Sequence, residues 1–497
     1  MNVLLLSMPD SFEHMAPVAI RMPNGALGSL AGNVDTHHRV AVADLILAQR
    51  RVRETVERLV REHEPHVVGL SVMTFQRRTA LKIIQLVRAL RPGARIVVGG
   101  YDPSLAVEAY ADPATGVDFV VRGEGELTFR ELLRALETGR GHERICGLSW
   151  RDGHELRHNP DRPVTPLESG AIRLPRRSAR VLSGYTVLGR QADVVETSRG
   201  CTFDCSFCSI IEMRGRNFHR YEFDRVIADV RDARAHGARC VFLVDDNITL
   251  DVGRFEALCQ AVIDAGLHRL EYVVQAMTSA VADHGATLAP LMRRAGFRYV
   301  FLGIENVLED DLAFLRARAK NLRRVGAARA ESATVSAIEH LHENGMYVVG
   351  GLIVGNPTDT PASIQANLDF ARRYVDWPYI QHPTPYARTP MTRDLARRGL
   401  IINHRLEDYD GTTAVVRSEH LSGEDIEFLR WKAERWMKLR HFPAALVHSP
   451  RFCLRHGRAM IAHTFRGMNW KTWLGLESER RAFARYQKIR EAERQYV

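Results

Sequence analysis

Between residues 193 and 386 a short run of β-branched, aliphatic and aromatic residues recurs six times: DVVETS (193–198), CVFLVDD (240–246), YVVQAM (272–277), YVFLGIEN (299–306), YVVGGLIVG (347–355) and YIQHPTPY (379–386). DRVIADVRDARAHG, RFEALCQAVIDAG, VSAIEHLHENG and SIQANLDFARRYV separate these runs with apolar residues at helical spacing, and three of them end in the glycine expected just past a helix. Strands that alternate with helices pair in parallel, because the crossover helix returns the chain to the end of the sheet where the previous strand began. The six units predict a partial (β/α)6 barrel of TIM type over 191–390, with ligands at the carboxyl ends of its strands.

The first 146 residues carry the alternation in another form. NVLLLSM (2–8), HVVGLSV (66–72), ARIVVGG (94–100) and VDFVVRG (117–123) read as strands covered on both faces, and RVRETVERLVREH, RRTALKIIQLVRALR and TFRELLRALE as amphipathic helices. This is the pattern of an α/β fold with an open, doubly wound parallel sheet. Residues 147–190 open with GLSWRDGHELRHNPDRP, a hairpin signal, and continue as a Pro- and Arg-containing connector without helical period. Residues 391–497 read as a helical C-terminal region, in which SGEDIEFLRWKAERWMKLRHF begins with a Ser cap and an acidic first turn. Trp431, Trp436, Trp470 and Trp473 stand among Arg and Lys there; a peripheral membrane or lipid contact is compatible with this, but core packing is the commoner fate of tryptophan and the expectation.

Composition excludes several classes. Hydrophobic residues at 45% and charged residues at 26% are not those of a disordered chain. The net charge of +10 comes from Lys and Arg dispersed among carboxylates, so nucleic acid is not an expected partner. No apolar run is long enough to span a bilayer, and MNVLLLSMPD lacks a basic leader segment, which predicts a cytoplasmic protein. Seven cysteines are too few for a disulfide framework; Cys146, Cys240, Cys259 and Cys453 stand singly and are expected as small buried hydrophobes.

The other three lie in ETSRGCTFDCSFCSI (196–210), directly after the first barrel strand. Structural zinc wants four Cys or His ligands, and His219, the nearest additional candidate, lacks a Cys partner at short spacing. Three thiolates on a four-iron cluster instead leave one iron open to a chelating small molecule. Phe207, just before the third cysteine, is placed to pack against a ligand's purine ring.

This CxxxCx-aromatic-C loop at the head of six strand–helix units resembles the radical S-adenosylmethionine (SAM) superfamily. The resemblance implies a [4Fe-4S] cluster on Cys201, Cys205 and Cys208, SAM chelated to the open iron, and its reductive cleavage to a radical that takes hydrogen from an unactivated carbon. It also implies an external electron donor such as flavodoxin or ferredoxin. Matching strand-end positions imply SAM contacts from Asp245, Asp246, Asn247, Gln275, Gly303, Glu305, Gly355 and Asn356, each of which taken singly fits a strand-end cap or turn former equally well.

A doubly wound sheet ahead of such a barrel resembles the cobalamin-binding domain of this superfamily's cobalamin-dependent branch. GLSVMTFQ, VVGGYDPS and RGEGELTF carry the resemblance, which implies cobalamin contacts from Ser71, Thr74, Gly99, Gly100, Gly123, Glu124 and Gly125. Relatives that bind cobalt through histidine carry DxHxxG; here Asp35, Thr36 and His37 are followed by Val40 in place of the glycine, so His37 and His38 are expected as solvent-exposed or substrate-loop residues. The implied reaction is methylation of an unactivated carbon in a small molecule, with lipids and polycyclic compounds among the candidates. Cyclisation, ring rearrangement or oxidation without methyl transfer is the alternative. A non-catalytic cluster or cobalamin carrier is the second, disfavoured because carriers usually use four cysteines. No nucleophile–His–carboxylate constellation is found, and no acid–base catalyst is named. The loop 379–392 and the C-terminal helices are expected to close over the substrate.

Overall fold

The run NVLLLS becomes the strand Asn2–Ser7, with five of its six residues buried because helices cover both faces of its sheet. In this computed structural model, which describes residues 1–11, 16–321 and 330–497, the strand order of that sheet is Arg39–Asp44, Asn2–Ser7, Val67–Ser71, Arg95–Gly99 and Phe119–Val121, all parallel. Arg39–Asp44 is an addition to the four strands expected. Val56, Leu59, Ile83 and Ile84 of Val52–His63 and Arg77–Leu90 pack on one face. Leu27, Ala31, Phe129 and Leu132 of Gly25–Asn33 and Gly125–Thr138 pack on the other. The order reverses between Asn2–Ser7 and Val67–Ser71, and such a reversal opens a crevice at the carboxyl ends of the strands. The hairpin expected after residue 147 forms as Leu148–Asp152 and Glu155–His158 and extends this sheet in antiparallel sense.

The six barrel strands are Arg190–Val195, Cys240–Leu243, Glu271–Met277, Phe297–Glu305, Tyr347–Ile353 and Trp377–Gln381, parallel and in chain order across an open sheet. Thr186–Val187 and Ile20–Arg21 extend the first of them in antiparallel sense. The pleat sets the two faces. Val241, Leu243, Tyr272, Val274, Val300, Leu302, Val348 and Ile380 pack outward under the helices. Their alternates Phe242, Val273, Gln275, Phe301, Val349, Tyr379 and Gln381 turn inward around a cavity. A slip of one residue would exchange the two sets. The three expected helix-ending glycines, Gly237, Gly266 and Gly345, all have positive φ (94°, 67° and 64°). The first barrel strand ends at Val195 rather than Ser198, because Thr197 bonds the Asp245 side chain instead of a strand partner.

The C-terminal helices Gly423–His448 and Pro450–Thr464 lie across the inner face of the barrel. Core packing holds for Trp431 alone among the four tryptophans considered: it is buried against Phe483 and Tyr486. Trp436, five residues on, turns about 140° around the same helix to the outside, and Trp470 and Trp473 are also exposed. Cys240, Cys259 and Cys453 are buried as expected, whereas Cys146 is only half-buried at the turn into the hairpin. Among the described residues no helix is long and apolar enough to cross a membrane.

Candidate active site

The cysteine loop is built on side chains from the end of the second barrel strand. Asp245 is buried and accepts hydrogen bonds from Thr197 N (2.7 Å) and Ser198 Oγ (2.6 Å), which fixes the start of the loop. Burial pushes its carboxyl up to about 7 against the pull of those bonds. Asp246 Oδ2 accepts from Gly200 N (2.8 Å) and Arg214 Nη1 (2.9 Å). Gly200 has φ +92°, and a Cβ there would stand 2.4 Å from the Asn217 carbonyl, so only glycine fits. Asn247 Nδ2 lies 3.7 Å from Cys201 Sγ, and Ser206 anchors the far side through its N–H to Leu315 O (2.9 Å).

Cys201 and Cys205 are buried, and Cys208 is half-buried at the edge of the barrel cavity. Burial pushes the thiols of Cys205 and Cys208 up to about 12 and 11 against the pull of Lys320. Such sulfurs are poor free thiolates, and a metal that takes the place of the proton relieves that cost. Among the described residues the three do not gather within 4.8 Å of one another.

From this loop the barrel cavity, about 670 Å³, extends between the inner strand faces and the C-terminal helices. Phe207, Asp246, Gln275 and Glu305 line the end that carries Cys208, and Phe242, Phe301, Tyr347, Trp377 and Tyr379 wall the rest. Phe301 and Tyr379 meet edge to face at 5.2 Å. Glu305 sits in the left-handed region (φ +61°) where the register shifts past Gly303, and Lys320 Nζ lies 3.5 Å from its Oε1. Burial opposes the Lys320 ammonium, but the charge of Glu305 and the nearby sulfurs hold its pKa above the usual value. Gly303 lies beside Glu305, where a Cβ would approach Oε1 to 3.0 Å. Gly355 and Asn356 do not line this cavity: their N–H groups bind Asp359 Oδ2 (2.7 and 2.8 Å), and Gly355 packs under Ile426.

A second cavity, about 380 Å³, lies at the carboxyl ends of the first sheet, and Ser71, Gly99, Gly100, Gly123, Glu124 and Gly125 line it. Thr74 is off this cavity, buried in the turn Thr74–Gln76. His37 and His38 precede the strand Arg39–Asp44 and therefore lie at the opposite, amino end of the sheet. His37 is exposed with Nε2 2.9 Å from Glu137, but His38 is buried, contrary to expectation, with Nδ1 3.5 Å from the same carboxylate. Arg199 enters from the cysteine loop, and its Nη2 and Nε meet Glu126 (2.6 Å) and Glu196 (2.8 Å). Burial works to raise Glu126, yet Arg199 and a hydrogen bond from Ser29 bring its carboxyl down to about 2.

The two cavities share a wall. Arg214 and Tyr101 line the first-sheet cavity, and Arg214 holds Asp246, which lines the barrel cavity. Burial and the nearby Asp246 raise the Tyr101 pKa, which keeps its hydroxyl protonated. Sequence reasoning missed Arg199, Arg214, Tyr101 and Lys320. Arg199, two residues ahead of Cys201, had a signal in its position; Arg214 and Lys320 come from segments without a strand-end pattern, and only folding brings them to the loop.

Residues 15–133 match the B12 binding domain and residues 195–371 the Radical SAM superfamily. An uncharacterized methyltransferase of Pyrococcus horikoshii is 26% identical over 470 residues, 94% of this chain and 98% of that one. An anaerobic magnesium-protoporphyrin IX monomethyl ester cyclase of Synechocystis is 27% identical over 329 residues, 64% of each chain. The fold is that of the radical S-adenosylmethionine methyltransferase TsrM from Kitasatospora setae, solved with cobalamin and a [4Fe-4S] cluster: TM-score 0.64 at 21% identity, covering 80% of this chain and 78% of that one.

Proposed function

We propose, on the premise that the chain belongs to the radical SAM enzymes that carry a B12-binding domain and works with a [4Fe-4S] cluster, SAM and cobalamin, that it methylates an unactivated carbon of a small, mainly apolar molecule. The observation that carries this reading is the shared wall: two cavities from different sheets meet at Asp246 and Arg214. When bound, the iron–sulfur cluster with SAM supplies a hydrogen-abstracting radical, and cobalamin supplies a methyl group. The protein's own work is to position and exclude.

Residues 1–146 form the cobalamin side, 147–190 the hairpin and connector, 191–390 the radical barrel and 391–497 the cover. Cys201, Cys205 and Cys208 would hold the cluster, and Cys208 borders the barrel cavity. Phe207 packs the purine of SAM, while Asp246, Gln275 and the Glu305–Lys320 pair orient its polar groups. Asp245, Asn247, Gly303 and Gly355 act as supports that fix loop and strand-end backbone. Ser71, Gly99, Gly100, Gly123, Glu124 and Gly125 receive the nucleotide tail of cobalamin, with Thr74 holding the turn behind them. The aromatic walls keep water from a radical site and offer an apolar substrate its main contact. Reducing electrons come from an external donor such as flavodoxin or ferredoxin.

The cyclase relatives favour a second reading, ring formation without methyl transfer. Anaerobic reconstitution with iron, sulfide, cobalamin, reductant and methyl-deuterated SAM separates the two. Methylation requires 5′-deoxyadenosine together with deuterium in the methyl of cobalamin, and loss of the deoxyadenosine in Cys205→Ala. Deoxyadenosine without labelled methylcobalamin would favour ring chemistry, and no deoxyadenosine from protein with an intact cluster would refute both.

A further inference from the structure

The C-terminal cover has an outer face that catalysis does not use. Between Glu434 and Glu477 the chain carries no carboxylate but eight Lys and Arg residues. Arg440, Arg451, Arg455, Arg458 and Lys471 of this stretch are exposed. The same stretch exposes large apolar side chains: Val447 (80%), Leu454 (82%), Trp470 (62%), Trp473 (51%), Leu474 and Leu476. On Pro450–Thr464, Leu454, Arg458 and Ile461 follow one another at helical spacing on the outer face, while Phe452, Cys453 and Met460 of the same helix line the cavity.

Patch and cavity are continuous. Phe465 and Ile461 line the barrel cavity; Phe465 touches Trp473 at 4.9 Å between ring centres, and Trp473 touches Trp436 at 6.1 Å. Ile461 is itself 48% exposed, so it stands at the mouth. An apolar patch on a stretch whose own charged side chains are all cations, with Glu477 and Glu493 of the following segment at its border, has the composition that seats helices in the interface of an anionic bilayer, Trp at headgroup level and Lys and Arg on lipid phosphates.

We infer that this face docks on an anionic phospholipid bilayer, and that the barrel cavity opens toward the membrane, from which it takes a lipid-soluble substrate. The substrate clause rests on the radical methylation reading; the docking clause does not. The charge complementarity that selects a bilayer is the run of exposed cations without an intervening carboxylate.

The test uses reconstituted holoenzyme in flotation with vesicles of phosphatidylcholine alone or mixed with phosphatidylglycerol. In the same samples 5′-deoxyadenosine formation reports the radical reading separately. Binding is expected to the mixed vesicles only and to weaken with salt. Arg455→Gln/Arg458→Gln should lower partitioning roughly thirtyfold, about fivefold per charge, with deoxyadenosine formation unchanged. Val447→Ser/Leu454→Ser should lower it as well while the charge is kept. Equal binding to both vesicle types, or none by a holoenzyme that cleaves SAM, overturns the inference. So does a concentration-dependent dimer that Val447→Ser/Leu454→Ser dissolves, which would assign the face to a second copy of the chain.

Discussion

Arg199→Met removes the charge that ties the cysteine loop to the first sheet and keeps most of the apolar stem. Glu126, buried among these groups, has its carboxyl brought from 4.5 to about 2, a gap on the order of 3 kcal/mol at neutral pH. Breaking a buried pair on one side costs about 3–5 kcal/mol, because the remaining charge stays desolvated. For an unfolding unit of about 200 residues, the size of the barrel, that is a fall in thermal midpoint of about 10 °C, read by calorimetry of the anaerobic holoenzyme. The sign with pH is fixed. In the native protein the Glu126 contribution is present above about pH 4.5 and fades toward pH 2. In Arg199→Met the uncompensated carboxyl protonates more readily, so the deficit narrows as pH falls from 7 toward 5. Glu126→Gln in the same chain should recover most of the loss. A midpoint within about 2 °C of wild type, or a deficit that widens on acidification, would refute the argument.

His382 is buried between Val354 O (3.0 Å from Nδ1) and Arg430 Nε (3.1 Å from Nε2), an arrangement that requires the neutral ring. Burial and Arg430 lower its pKa from 6.5 to about 3, so stability fades as pH drops through that window at about 1.4 kcal/mol per pH unit, and His382→Gln should flatten acid unfolding by that slope. Gly100→Ala forces a side chain onto φ +103° with its Cβ 2.9 Å from Val72 O; a loss of about 1–3 kcal/mol is expected, and cobalamin uptake followed by absorbance should fall with it. Gly351→Val narrows the barrel cavity beside Phe301, where a Cβ already stands 2.7 Å from the ring. Substrate methylation should drop more than tenfold while substrate-free deoxyadenosine formation persists, and parallel loss of both would place the defect in folding.

The cysteine loop was legible because its chemistry is local: three sulfurs in eight positions, directly after a strand, restrict what can bind there. The glycine turns of the first sheet were legible for a related reason, since backbone that must approach a ligand admits few side chains. Single polar residues at strand ends were harder. Asp245 and Asp246 are neighbours in sequence just past the second barrel strand, but one turns back to the loop backbone and the other to the cavity wall. Gly355 and Asn356 resemble ligand contacts in sequence and serve a turn under the C-terminal helix.

Strand and helix periodicity, carried by each segment, determined the two parallel sheets, the order of the barrel strands and the helical tail, since burial of an apolar face dictates element type wherever that face lies. Tertiary structure alone decided that Arg214 and Lys320 converge on the cysteine loop, that Arg199 of that loop reaches Glu126 of the first domain, that two cavities share a wall, and that Trp436, Trp470 and Trp473 face outward while Trp431 does not. These features depend on which helix face a neighbour covers and on ion pairs between residues as distant in sequence as Glu126 and Arg199. No local pattern encodes such distances, and only the docking of whole elements sets them.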